Sequence, residues 1–263
     1  MIIDYLIKII IRELFDLPKN VVEPKPAATV VIIRNTAGHY GEYEVLMTKR
    51  QEYLKFLGGF YSFPGGKVEL QDFTNEAIDR IKGIDYEKAF QTFYKRNSKK
   101  NINNKFKSNL IGYWTACIRE LFEEVGILLA YDENNNLFLN YDNNKFENYR
   151  KSIINDKLKM WEMLENENLF YAADQLIYFN RFITPKISPK RFDTRFFLCK
   201  LPEINLKIKP YEKEISEVIW ISPKDALYKY ENHYNDFKII FPQIATLKEL
   251  LNLDLQKLER NCK

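Results

Sequence analysis

Apolar and polar positions along the chain switch repeatedly between a helical and a strand period. Residues 2–17 are apolar but interrupted by Asp4, Lys8, Arg12 and Glu13, which predicts an amphipathic helix stopped near Pro18. Pro18, Pro24 and Pro26 predict an extended connector, since proline donates no backbone N–H and disfavours a helical residue before it. Ala27–Arg34 is β-branched and apolar throughout, the mark of a buried strand. Turn residues from Thr36 to Gly41 separate it from a second strand, Tyr43–Thr48, so the two read as a hairpin. Residues 75–95 and 146–166 follow a helical period, and Tyr113–Leu129 predicts an amphipathic helix that closes at Gly126. Residues 132–145, rich in Asn and Asp, predict a hairpin tip or loop. Leu176–Ile183, Thr194–Lys200 and Val218–Ile221 are strand-like, and Pro223–Tyr230 and Pro242–Leu253 are helical. Strands, helix, strands and helices in that order predict mixed α/β layering, with no internal repeat.

Composition narrows this picture. Domains usually run about 100–200 residues, so 263 residues suit one enlarged domain or two small ones. With 46% hydrophobic and 29% charged residues the chain can bury a sizeable core. A net charge of +4 is too mild to imply nucleic acid as a partner. Lys95–Asn109 holds six Lys or Arg and no acid, and reads as a solvated loop ahead of a phosphate-attracting arm. The three cysteines stand far apart, without a CxxC, which argues against a disulfide framework or zinc site and for a reducing, cytoplasmic location. Uninterrupted apolar stretches near the N-terminus are three residues long, far short of the ~20 that span a bilayer, so no membrane association is expected. The N-terminal helix would pack on the body or on a second copy, which makes a homodimer one expected assembly. Only His39 and His233 are present, so any catalysis should rest on carboxylates.

Carboxylates concentrate in Arg119-Glu120-Leu121-Phe122-Glu123-Glu124-Val125-Gly126-Ile127. On a helix, Glu120, Glu123 and Glu124 share a face about 100° wide, while Leu121, Val125 and Leu128 point to the opposite side. Each like-charged pair costs roughly 0.2–0.5 kcal/mol in an isolated helix, and the helix C-terminus disfavours anions. A hard divalent cation would reverse that penalty by taking carboxylate oxygens. Upstream, Phe63-Pro64-Gly65-Gly66 places two glycines where backbone could closely approach a metal or phosphate. Cys117 belongs to the core side of the helix.

This order of glycine loop, acidic residue and Arg-Glu-x-x-Glu-Glu-x-Gly helix resembles the Nudix box, G-x5-E-x7-R-E-U-x-E-E-x-G-U with U aliphatic. Gly66, Arg119, Glu120, Leu121, Glu123, Glu124, Gly126 and Ile127 match it. Asp72 stands where the pattern has its first Glu, and 46 residues separate it from Arg119 where the pattern has seven. An interrupted box, together with Arg181-Phe-Ile-Thr-Pro185 and Pro189-Lys-Arg-Phe-Asp-Thr-Arg-Phe-Phe197, is similar to the motif 19 type of Nudix hydrolase, the coenzyme A diphosphatase-like group. Leu46-Met-Thr-Lys-Arg50, Gly59 and Phe63–Gly66 resemble the signature that coenzyme A pyrophosphatases carry ahead of the box. Gln51 and Lys55 depart from it, and Lys55 lacks the bidentate fork of an arginine.

The resemblance implies a Nudix α/β (α+β) fold: a mixed β-sheet sandwiched between helices. It further implies one domain over 25–263, with a helical insertion at about 73–112, preceded by the helix and connector of 1–24. The implied activity is hydrolysis of a pyrophosphate bond in a nucleoside diphosphate derivative, with coenzyme A or an acyl-coenzyme A as first choice. An ADP-ribose or NADH pyrophosphatase and a non-catalytic nucleotide sensor are the alternatives. Glu120, Glu123 and Glu124 would hold Mg²⁺ or Mn²⁺, joined by the Gly65 carbonyl, and Arg119 would orient them. Lys49, Arg50, Lys55, Phe63, Gly66 and Arg191 would contact the small-molecule nucleotide substrate. Arg191 and Asp193 could alternatively pair to hold a strand end. Glu123 or Glu214 would be the base.

Overall fold

A computed structural model describes residues 22–36, 43–94, 104–138, 144–201 and 207–253, without the side chains of 104–109. The predicted helix at 2–17 lies outside them. The chain runs β1 (Lys25–Asn35), β2 (Tyr43–Arg50), β3 (Tyr61–Ser62), β4 (Gly65–Lys67), α1 (Asn75–Asp79), β5 (Ile81–Lys82), α2 (Tyr86–Phe93) and α3 (Asn104–Val125). It continues through β6 (Ala130–Tyr131), β7 (Leu137–Phe138), α4 (Asn144–Ile154), α5 (Met160–Asn166), β8 (Phe170–Ala172) and β9 (Ile177–Ile183). Last come β10 (Phe192–Lys200), β11 (Ile215–Ile221), α6 (Pro223–Asn232) and α7 (Phe241–Leu250).

The larger sheet has the order β11-β2-β1-β10-β9, with β3 on β2 and β4 on β1. β1 and β10 are parallel and the other pairs antiparallel, so the sheet is mixed. The unbroken apolar run of β1 follows from burial on both faces. Ala28, Val30 and Ile32 enter the core beneath α3, while Val31 and Ile33 enter the core shared with α6 and α7. The hairpin of β1 and β2 forms as expected, with Ile33 opposite Val45.

The insertion is where structure departs most from period. The continuous helix expected over 75–95 is two helices split by β5, which pairs parallel with β8. Two N-caps and a glycine explain the split. Thr74 caps α1, Asp85 caps α2, and Gly83 sits at φ 87° against Asp174. β5, β8, β6 and β7 make a second, four-stranded sheet. Phe93, at the end of α2, packs on Trp114 at 4.9 Å and on Tyr178 at 4.9 Å, tying the insertion to the core.

The helix expected over 146–166 is likewise two, broken where Asp156 takes φ 55°, a conformation that Asn and Asp tolerate better than most residues. Helix α3 starts at Asn104, so the end of the expected solvated loop is helical, while 95–103 lies outside the described residues. The helix closes at Gly126, whose φ is 74°, so Ile127–Leu129 is not helical. Among the described residues no helix is long and apolar enough to cross a membrane.

Candidate functional site

Strand β4 and helix α3 bring the two halves of the interrupted motif together. β4 pairs with β1, Gly65 beside Thr29 and Gly66 beside Ala28. Both glycines are required by close approach. A Cβ on Gly65 (φ 150°) would lie 2.3 Å from the Ala28 carbonyl oxygen, and one on Gly66 would lie 2.5 Å from the Glu120 carboxylate. The Gly65 N–H donates to Glu124 Oε2 at 3.0 Å.

Arg119 closes the gap in the motif. Its Nε and Nη2 donate to the two carboxylate oxygens of Asp72 at 2.8 and 3.0 Å, a bidentate pair in which both residues are buried. The same Nη2 donates to the Lys67 carbonyl at 2.8 Å, and Nη1 donates to Glu120 at 2.9 Å and Glu123 at 3.2 Å. Asp72 also accepts from the Glu69 N–H at 2.7 Å, and Thr115 Oγ1 donates to the Asp72 carbonyl. The 46-residue interruption therefore leaves and re-enters the site at one ion pair.

The last carbonyls of α3 are all satisfied. Phe122 O accepts from Gly126, Glu124 O from the Tyr211 N–H at 2.8 Å, and Val125 O from the Lys209 N–H at 2.9 Å. Glu123 O accepts from Arg150 Nε and Nη2 at 3.1 and 2.8 Å, so a buried cation of α4 meets the negative end of the glutamate helix.

Burial dominates the electrostatics. It pushes the Glu120 carboxyl up to about 7, with Arg119 pulling back and Glu123 adding to the rise. It also pushes Glu124 well above the usual carboxylate range, with Glu120 adding and the Gly65 N–H opposing, and raises Glu123. For Arg119, burial disfavours charge, but Asp72 and Glu120 outweigh it and hold the guanidinium charged. Cys117 is fully buried and burial raises its thiol, which suits a core residue. Among the described residues no three His, Cys, Asp or Glu side chains form a ready-made cation cage. Glu120 and Glu123 turn to Arg119, and Glu124 turns to Gly65. The donor set still fits a hard divalent cation. The carboxylates facing Arg119 exceed its one charge, their burial favours neutralisation, and Mg²⁺ generally uses one or two carboxylates plus waters and phosphates.

A cleft of about 1390 Å³ opens over the glutamates. Arg119, Glu120, Glu123, Glu124, Gly65, Gly66, Phe63, Arg50, Arg191 and Glu214 line it; Lys49 and Lys55 do not. Lys49 instead pairs with Glu52 at 3.2 Å, and Lys55 is exposed. The Arg191 guanidinium donates to the Thr184 and Val22 carbonyls at 3.0 and 2.6 Å, anchoring the cleft wall. The expected Arg191–Asp193 pair is not formed, because Asp193 accepts instead from Arg181 and Arg195. Sequence reading missed Lys25, Lys67 and Gln243, which also line the cleft, and Arg150 behind it. Residues contributed singly by distant elements carry no motif.

Residues 24–250 match the model of the NUDT19 Nudix domain. The chain is 28% identical to the acyl-coenzyme A diphosphatase NUDT19 of Xenopus laevis over 249 residues, covering 80% of this chain and 65% of that protein. It therefore spans somewhat under two thirds of this relative's length. The crystal structure of a NUDIX hydrolase from Alicyclobacillus acidocaldarius superposes with a TM-score of 0.67 at 25% identity, covering 89% of this chain and 94% of that one. With the box assembled in space and a family model matched across most of its length, the chain belongs to the Nudix hydrolases, in the NUDT19 Nudix domain group.

Proposed function

We propose that the protein hydrolyses the pyrophosphate bond of a nucleoside diphosphate derivative, coenzyme A or an acyl-coenzyme A before ADP-ribose or NADH, with Mg²⁺ or Mn²⁺. The observation that carries this is the convergence of partly buried Glu120 and Glu123 and buried Glu124, all charge-stressed, on the lining of a large cleft. Small-molecule pockets usually measure about 300–1,000 Å³; a cleft of about 1390 Å³ supports a long, two-armed substrate. The named activity of the Xenopus laevis relative supports the same class.

Glu120, Glu123 and Glu124 would hold the cation, with the Gly65 carbonyl as a further ligand. A bound divalent ion supplies charge neutralisation for the diphosphate and a more acidic water. Arg119 orients Glu120 and Glu123 through Nη1 and is itself fixed by Asp72. Arg50, Lys25 and Lys67 on the cleft wall provide cations for the phosphates. Glu214 is the better candidate for the base, because it lines the cleft while Glu123 is engaged by Arg119. Phe63 and Gly66 shape the floor. Cys117, a buried thiol, suits a reducing, cytoplasmic location.

The test is product analysis with purified protein, Mg²⁺ or Mn²⁺, and coenzyme A, acetyl-coenzyme A, ADP-ribose and NADH. Release of 3′,5′-ADP from coenzyme A, lost in Glu123→Gln, is the expected result. No turnover of any member by the metal-loaded protein would overturn the reading in favour of a nucleotide sensor.

A further inference from the structure

The cleft lined by the glutamates also takes in residues on the other face of the larger sheet. Along β1, Val31 and Ile33 face the core shared with α7, so Ala27 and Thr29 share that face; along β10, Phe196 and Leu198 do the same for Phe192 and Thr194. The parallel register sets Ala27 beside Thr194, and all four residues line the cleft. Phe56 stands against Phe192 with ring centroids 5.8 Å apart and also lines the cleft, 38% exposed. This part of the lining is made of small and aromatic residues.

Gln243, in the first turn of α7, lines the same cleft. It is 7% exposed, and its Oε1 is buried without a hydrogen-bond partner among the described residues. A buried carbonyl oxygen left unpaired is costly, and native folds retain few. An apolar residue of similar length would avoid that cost at this helical position. A carboxamide kept on the wall of a cleft that also carries aromatic rings has the chemistry to meet a planar ligand with an N–H donor next to a ring acceptor, the edge that Gln reads on adenine.

We infer that this part of the cleft is the base subsite, and that Gln243 determines specificity for a 6-aminopurine by accepting from its exocyclic amine through Oε1. The inference rests on the nucleotide reading above and deepens it. Thr29 and Thr194 floor the subsite, and Phe56 and Phe192 offer ring faces for stacking. Lys190, whose Nζ lies 5.5 Å over the Phe56 ring, brings a cation to its rim.

The experiment measures binding of ADP and of purine riboside diphosphate, which is ADP without its 6-amino group, to full-length protein with Mg²⁺. Wild type, Gln243→Met and Gln243→Glu are compared by calorimetry, with melting temperatures alongside. A well-made base contact gives discrimination on the order of tenfold, so wild type should prefer ADP by roughly that factor. Gln243→Met should bind both ligands alike, while melting no lower than wild type. Gln243→Glu, which keeps an acceptor at that atom, should keep the preference for ADP. An ADP preference unchanged in Gln243→Met would overturn the inference, whatever the variant's stability. So would wild type that hydrolyses coenzyme A yet binds the two diphosphates equally, and there the proposed function would stand. Wild type that neither hydrolyses any substrate of the panel nor binds ADP would remove the nucleotide reading and this subsite together.

Discussion

Removing Asp72 tests whether one ion pair holds the interrupted motif together. Asp72 and Arg119 are 1% and 2% exposed, and Arg119 spends both Nε and Nη2 on the Asp72 carboxylate. Breaking a buried pair from one side typically costs about 3–5 kcal/mol. Two features set the value for Asp72→Ala at the lower end. Arg119 keeps Glu120, Glu123 and the Lys67 carbonyl, and the glutamates lose a like-charged neighbour. A loss of about 3 kcal/mol in a chain of this size corresponds to roughly 6–12 °C in melting temperature. Asp72→Asn keeps shape but loses charge and should fall between wild type and alanine. Asp72→Glu restores the residue type of the family pattern and should recover part of the loss. Because Arg119 loses its clamp, Glu120 and Glu123 lose their fixed orientation, so kcat should fall at least tenfold in Asp72→Ala with a smaller change in KM. Differential scanning fluorimetry and steady-state hydrolysis of coenzyme A provide the readouts. An Asp72→Ala protein that melts within about 1 °C of wild type and turns over equally would refute the reasoning. It would mean that contacts elsewhere in the insertion bring β4 to α3.

Three further outcomes follow from the site. Gly66→Ala puts a Cβ where the Glu120 carboxylate lies, 2.5 Å away; isothermal titration with Mn²⁺ should show weakened binding in a folded protein, and wild-type affinity would contradict the close approach. Burial pushes the Glu120 carboxyl from its ordinary 4.5 up to about 7, so its contribution to stability is full below about 4.5 and is lost as pH rises through about 7. Metal-free protein should therefore melt lower at pH 8 than at pH 6, and saturating Mn²⁺ should reduce that slope; a metal-free melting temperature that rises over this interval would contradict it. Arg150→Ala removes two charge-assisted hydrogen bonds to the Glu123 carbonyl, at about 1.5–3 kcal/mol for a charged donor. Its thermal loss should come with a lower kcat at little-changed KM, and a purely thermal effect would confine Arg150 to stability.

The sequence by itself determined what short-range physics encodes. The β-branched run of β1, the α3 face carrying Glu120, Glu123 and Glu124, the stop at Gly126 and the Gly65-Gly66 loop are all legible in neighbouring residues. Each depends on a periodicity, a cap or a turn. The box spacing also pointed to Asp72, although not to what it binds. Only the tertiary structure decided that Asp72 and Arg119 meet across the interruption, that β5 leaves the insertion to pair with β8, and that Arg150 holds the Glu123 carbonyl. It likewise turned Arg191 to backbone carbonyls, turned Lys49 to Glu52, and brought Gln243 to the cleft. The reason is common to these cases. A backbone carbonyl leaves no mark in the sequence of its partner, and a side chain's charge does not say which distant element folding sets beside it.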